Sequence, residues 1–298
     1  MNESIQTFLQ LLISGMSIGG VYAMVALGFV LIYKATGVFN FAQGELTMVG
    51  AYFCFCLIVQ YQLNFFQAFL LALVISALFG IMVEFLVLRP MVGEPIFSVV
   101  MITVGLAVVI KGIVSLVWGH DVLRFPSPFA SDPFPIGGVA IFPSSLWTIV
   151  STCAMVVIFI LFFKISKVGI AMRAVANDQG AAQIIGISIR KIFSISWAIA
   201  AVVATIGGFF FVNIFFMTPD ISHIGMKAFP AAVLGGMDSI LGAIIGGLII
   251  GIVENLAGGY LDKLLGGGIK EISSFVVLIL ILMIKPYGLF GKKEVVRV

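Results

Sequence analysis

Charge is scarce in this chain: Asp, Glu, Lys and Arg make up only 10% of its 298 residues, hydrophobic residues make up 61%, and mean hydropathy is +1.23. A soluble domain of this length could not cover itself with a wet surface from so few charges, so lipid is the expected solvent. Catalytic side chains are equally thin, with two histidines and three cysteines. Cys54, Cys56 and Cys153 lie in apolar stretches without zinc or redox spacing and read as small structural residues. No G-x-x-x-x-G-K-S/T, H-E-x-x-H or G-x-S-x-G pattern occurs, and the glycines of GGGIKEISS follow a membrane span with no strand before them. Chemistry by this chain alone is therefore not expected: it reads as no enzyme, with no bound cofactor and no metal.

What is present is a series of long uncharged runs. The 28 residues from Ile192 to Pro219 follow directly on a basic loop, and roughly 20 residues suffice to cross a bilayer core. Ser4 to Tyr33 is a second such run; preceded by Glu3 and no Lys or Arg, and too long for a secretory signal, it reads as a retained first span. Uncharged stretches between polar breaks place spans near 11–33, 45–61, 65–88, 96–118, 145–163, 192–215, 239–257 and 271–285. The second and third are divided only by Gln60, Gln62 and Asn64.

Lys and Arg concentrate in cytoplasmic loops. Residues 164–191 carry Lys164, Lys167, Arg173, Arg190 and Lys191 against Asp178 alone, which marks that loop as cytoplasmic. Counting back puts Lys34 and Arg89 inside and the Pro-rich segment 119–144 outside, where VLRF and GVAIF could form short strands and the loop could act as a docking surface, a lid or a mere connection. The tail, with Lys292, Lys293 and Arg297 against Glu294, should also be inside, yet three spans after the cytoplasmic loop leave it outside. A short crossing near 222–237, broken by Pro230, repairs the parity; the alternative is eight crossings with a re-entrant loop. The expected fold is thus one all-α polytopic membrane domain over 1–298 with eight to nine crossings, some short or broken.

Gly44, Thr47, Gly50 and Ala51 recur at the same spacing as Gly236, Ser239, Gly242 and Ala243, each copy with an acid near its start, Glu45 or Asp238. The two segments are candidate equivalents in two structural repeats, and Gly44, Gly50, Gly236, Gly242 and Gly246 are candidate helix-packing positions. Ionisable and amide groups within apolar segments are costly unless they face protein or water, which singles out Asn40, Gln43, Glu45, Glu84, Lys111, Asn213, Asp238, Glu254 and Asn255. Glu84 and Arg89 read as an interfacial pair, Lys111 as pairing with Glu84 or Glu45, and His223 as a proton relay only beside a carboxylate.

In the basic loop, Asp178 can cap a short helix from Gln179 to Ile185 and Gly186 can end it. Ala181, Ala182 and Ile185 then form an apolar ridge exposed to water unless a partner covers it, suited to a partner's groove. This alanine pair, with a glycine four residues after its second member, resembles the coupling loop of binding-protein-dependent ABC importer permeases. A fuller resemblance, to Liv-type (LivH/LivM) branched-chain amino acid permeases and within them the LivH-like subunits, runs through residues 20–52, LRPMVGEP (88–95), RAVANDQGAAQIIGI (173–187) and AAVLGGMDSILGAIIGGLIIGIVE (231–254). Gln179 departs from it, where a glutamate is common in the wider permease group.

The resemblance implies a permease in a bacterial inner membrane, paired with a LivM-like second permease, two cytoplasmic ATPases that bind ATP, and an external solute-binding protein, with no nucleic acid partner. It implies import of leucine, isoleucine and valine, though similar permeases are assigned to urea, amides and other amino acids. Coupling would fall to Arg173, Asp178, Ala181, Ala182, Ile185 and Gly186. A substrate path between the two permeases is expected to have Asn40, Gln43, Glu45, Thr47, Asp238 and Ser239 near its polar wall. Three readings compete: an ion-coupled secondary transporter, set apart by the coupling loop; a channel, which would need no ATPase contact; and a structural subunit, which would bind the same partners but tolerate loss of the polar midmembrane residues.

Overall fold

The computed structural model describes residues 3–130, 132–136 and 138–291, so the basic tail from Lys292 to Arg297 lies outside the described residues. The chain runs α1 (Glu3–Thr36), α2 (Gln43–Phe55), α3 (Phe65–Val83), α4 (Ile96–Trp118), α5 (Pro143–Ile165), α6 (Lys167–Asn177), α7 (Gln179–Ile184), α8 (Ile189–Ile214), α9 (Ile224–Gly235), α10 (Ile240–Tyr260), α11 (Asp262–Leu265) and α12 (Ile269–Ile284). Among the described residues, six helical stretches are long and apolar enough to cross a membrane: Ser4–Thr36, Phe65–Met91, Ile96–Trp118, Pro143–Ile165, Ile189–Ile214 and Ile240–Leu264. The other expected crossings are shorter. At about 1.5 Å per residue, α9 with its 12 residues reaches only about 18 Å, α2 with 13 about 20 Å and α12 with 16 about 24 Å. A π-turn, Cys56–Gln60, lengthens α2 and a second, Glu84–Leu88, ends α3.

Helix α1 is the hub. Its most apolar window is 94% buried, against 22–28% for α3, α4 and α5, whose apolar side chains face outward. Glycines make this possible. A Cβ on Gly247 or Gly251 of α10 would strike the backbone of Ala23 or Gly19 on α1, and one on Gly246 or Gly242 would strike Ala231 or Gly235. The glycine-rich run in the sequence thus lets α10 lie backbone to backbone with α1 on one side and α9 on the other.

The pairing of elements has a swapped pattern. Each half of the chain contains a long helix, a break and a short helix: α1 then α2, α8 then α9. The short helix α2 packs on α8, and the short helix α9 packs on α1. The repeat read from sequence is therefore displaced: α2 corresponds to α9, not to the start of α10. Gly44, Thr47 and Gly50 do share one face of α2, but Gly236 sits in the α9–α10 turn at φ +104° and Ser239 is the N-cap of α10, its Oγ accepting from Gly242 N–H at 3.0 Å. Gly236 is accordingly a turn glycine rather than a helix-packing one.

Contacts sort the connections into two ends. At one end Gln10 on α1 donates to Ala140 O (2.8 Å) and accepts from Ala140 N–H (2.9 Å), and Leu123 pairs with Met217 after α8. At the other, the Lys34 ammonium donates to Asp238 O at 3.1 Å, and Gly236 packs on Gly291. In segment 119–144 a small hairpin forms, β1 (Phe134–Ile136) against β2 (Val139–Ile141), with Pro135 opposite Ala140. GVAIF thus yields a strand as expected, whereas VLRF contributes only the isolated Leu123 pairing because prolines at 126 and 128 remove donors just beyond it.

Candidate substrate path and coupling helix

A cavity of about 380 Å³ opens between α2, α4, α9 and α12. Its walls are largely apolar, with Phe29, Phe41, Val108, Met226 and Phe229, while Glu45, Lys111, Ser222 and His223 supply polar groups. Phe229 is wedged edge-on against Phe29 and Phe39, which fixes the aromatic wall. Pro219–His223 forms a short 3-10 turn ahead of α9, and the break between Phe215 and Ile224 brings Ser222 and His223 to the cavity.

Lys111 pairs with neither Glu84 nor Glu45. Its ammonium lies 2.9 Å from Asp220 Oδ1 in the 3-10 turn, and this bond holds the Asp220 carboxyl below the usual carboxylate range. The sequence distance of 109 residues hides the pair. His223 Nε2 lies 3.8 Å from the same Oδ1, so a carboxylate does adjoin it, already engaged by Lys111. Glu84 pairs with Arg89 at 3.0 Å, as read from the sequence, and also accepts from Ser194 Oγ.

Of the expected path residues, only Glu45 lines this cavity. Asn40, 1% exposed, lines a separate cavity toward Trp197 and Gln179, and its Oδ1 accepts from Ala42 N–H at 3.1 Å to shape the turn into α2. Gln43 is fully buried, its amide lying on Gly28 where any Cβ would stand. Thr47, also buried, donates to Gln43 O at 3.0 Å. These three build the broken segment instead of facing the opening. Asp238 and Ser239 lie beside Lys34 in the α9–α10 turn and line neither of these two cavities. The two copies of the echo thus stand on different elements, Glu45 at the cavity and Asp238 with Ser239 in the α9–α10 turn. Lys111, Ser222 and the phenylalanines were missing from that set; Lys111 was legible as a charge within a span, the aromatic wall was not.

The segment from Asp178 to Gly186 folds as a short capped helix, as its residues lead us to expect. Asp178 Oδ1 accepts from Ala181 N–H at 2.9 Å, α7 follows, and Gly186 turns the chain at φ +85°, a conformation suited to glycine. The ridge differs. Ala182 is 2% exposed and packs into the chain's own core, while Ile184 and Ile185 are 88% and 72% exposed. One turn of helix places Ala182 inward and the two isoleucines outward. Ala181 and Arg173 are exposed, and α6 is held by Met172 and Val175 beneath it.

Long buried helices, two broken short ones exchanged between halves and an exposed capped helix between α6 and α8 define a multi-pass membrane permease. The profile of the family described as branched-chain amino acid transport system, permease component, matches residues 11–285, and the chain belongs to that family. It is 32% identical over 100% of both chains to the high-affinity branched-chain amino acid transport system permease protein LivH of Salmonella typhimurium. It is 29% identical, over 98% of each, to the corresponding permease BraD of Pseudomonas aeruginosa. Among solved structures, PsaBC from Streptococcus pneumoniae in complex with Fab shares the fold at TM-score 0.50 and 13% identity, covering 94% of this chain and 92% of that one.

Proposed function

We propose that this chain is one of two permeases in an ATP-driven, binding-protein-dependent importer of branched-chain amino acids in a bacterial inner membrane. Its partners are a LivM-like permease, two ATPases on which ATP is hydrolysed, and an external binding protein; it hydrolyses nothing itself and needs no cofactor. The observation that carries the reading is the cavity of Phe29, Phe41 and Phe229 beside Glu45 and Lys111. It is half a path, apolar enough for a branched side chain, with a carboxylate for an ammonium and a lysine for a carboxylate. A second permease closes it.

With this role we infer nine crossings and an external start. Residue 10 sits with segment 119–144 at one end and Gly291 with Lys34 at the other, which supports an odd number of crossings. The ninth is α9: it alone connects the Met217 end to the Asp238 end, and it is sheltered by α1 and α10, as a broken crossing must be. Residues 119–144 are then external and 164–191 cytoplasmic, where Ile184 and Ile185 enter an ATPase groove while Asp178 and Gly186 hold α7 in shape. The two ends move as a population shift between inward-open and outward-open states.

The test is uptake into proteoliposomes holding both permeases and both ATPases, with binding protein loaded with labelled leucine, valine, glutamate or urea. ATP-dependent uptake confined to leucine and valine, with KM raised about tenfold by Glu45→Gln, supports the reading. Uptake of urea alone moves the substrate class, and uptake driven by an ion gradient without ATPases overturns the mechanism.

A further inference from the structure

Behind α9 lies a second cavity, of about 250 Å³, that the path does not use. Gly225, Met226 and Phe229 face the front cavity, whereas Ile224 and Lys227 face the back one, and His223 borders both. The first turns of α9 are a partition one helix thick.

Two polar atoms at this back cavity, one oxygen of a carboxylate and one ammonium, lack partners among the described residues. Glu254 on α10 is fully buried; Lys227 donates to its Oε1 at 2.6 Å, but Oε2 has no hydrogen-bond partner among the described residues. The Tyr22 hydroxyl is close enough to interact with Glu254, without meeting hydrogen-bond geometry to Oε2. An unpaired carboxylate oxygen at such depth is expensive, and a donor that fills the cavity removes the cost. Lys270 on α12 also lines the cavity, and its ammonium makes no ion pair or hydrogen bond among the described residues. The other charges are engaged: Lys227 also reaches Glu271 at 3.9 Å, and Asp220 is held by Lys111. What remains is one carboxylate oxygen and one ammonium, with Ile18, Phe211, Phe215 and Ile221 as apolar walls.

We propose that this back cavity is a second site for a zwitterionic, apolar α-amino acid, held within this one chain at the Met217 end of α9. The ligand ammonium donates to Glu254 Oε2, its carboxylate accepts from Lys270, and its side chain lies on the isoleucines and phenylalanines. The volume is below the roughly 300–1,000 Å³ of pockets for drug-sized ligands and suits a single amino acid. Occupancy stiffens the partition from behind, so the site regulates how freely α9 yields to a substrate in front. The inference rests on the importer reading for its choice of amino acid.

The experiment is equilibrium binding of labelled leucine to the assembled transporter in lipid nanodiscs, without binding protein or ATP. A saturable site that persists in Glu45→Gln is expected, weakened roughly tenfold or more by Lys270→Met, the scale of one charge-assisted hydrogen bond, and similarly by Glu254→Gln. Lys270→Met keeps the assay informative if Glu254→Gln misfolds. Binding should be indifferent to Glu45→Gln, and competed by valine but not by leucine amide or 4-methylpentanoate, each lacking one of the two charges. Absence of saturable binding overturns the proposal, as does binding unmoved by Lys270→Met, or binding of labelled sodium and not leucine that is lost in Glu254→Gln. ATP-driven leucine uptake that stays normal while binding is absent sinks this site alone; absent uptake sinks the importer reading.

Discussion

Gly44 on α2 and Gly225 on α9 meet backbone to backbone: a Cβ on Gly225 would lie 2.7 Å from the Gly44 Cα, and one on Gly44 would fall on the carbonyl of Ser222. This contact joins the two short helices at the edge of the front cavity. Gly44→Ala must push them apart, and overpacking of this kind costs about 1–3 kcal/mol. A fall of several degrees in Tm and a loss of uptake are expected, measured on the purified complex in detergent. Gly105→Ala on α4, where nothing lies within 4 Å, is the matched control and should leave both unchanged.

The burial of Ala182 separates two effects that the sequence runs together. Ile184→Asp with Ile185→Asp should leave expression and melting of this chain near wild type while ATPase copurification falls by about tenfold or more, because only exposed surface changes. Ala182→Asp should instead destabilise the chain itself, by burying a charge without a partner. Equal loss of stability in both variants would contradict the assignment of ridge and core.

The Lys111–Asp220 pair sets a pH expectation. Because the folded carboxyl titrates below its ordinary value of about 3.9, the pair's contribution is fully present above that value and is lost only as pH falls through the lowered one. The ratio of uptake by wild type and Asp220→Asn should therefore stay flat from about pH 8 to 5 and converge only under stronger acid. Asp220 is 73% exposed, so the effect is under about 1 kcal/mol and shrinks with salt. A ratio that changes near neutrality would assign the transition to another group.

Lys227 and Glu254 offer a double-mutant test. Lys227→Met strands a fully buried carboxylate, a change worth about 3–5 kcal/mol, whereas Lys227→Met with Glu254→Leu removes both charges and should recover most of the loss. Thermal melting of the two variants decides it; no recovery in the double variant would mean that packing, rather than charge, holds α9 to α10.

Much of this molecule was legible in its residues because lipid imposes a strong length rule: the six long helices fall where uncharged runs stand. The Asp178 cap and the Gly186 stop were equally plain, since capping chemistry is local. What stayed hidden was non-local. Lys111 finds Asp220 across 109 residues, and Glu254 finds Lys227 only because α9 folds back onto α10. Spacing identity also misled: Ser239 matches Thr47 in pattern, yet one caps a helix and the other is buried within one, because the same small residues suit both tasks. Which helix face Ala182 occupies needed the neighbouring α8, which periodicity over six residues cannot supply.

The burial of α1 bears on how the chain is made. Helix α1 is made well before its main packing partners, which lie among residues 189–260. Its glycines, shaped to receive α10, must wait in lipid while the helices between them are synthesised. Biogenesis therefore depends on late, long-range closure. A chain truncated before Ile240 should remain inserted yet unlocked, open to membrane proteases that the finished bundle resists.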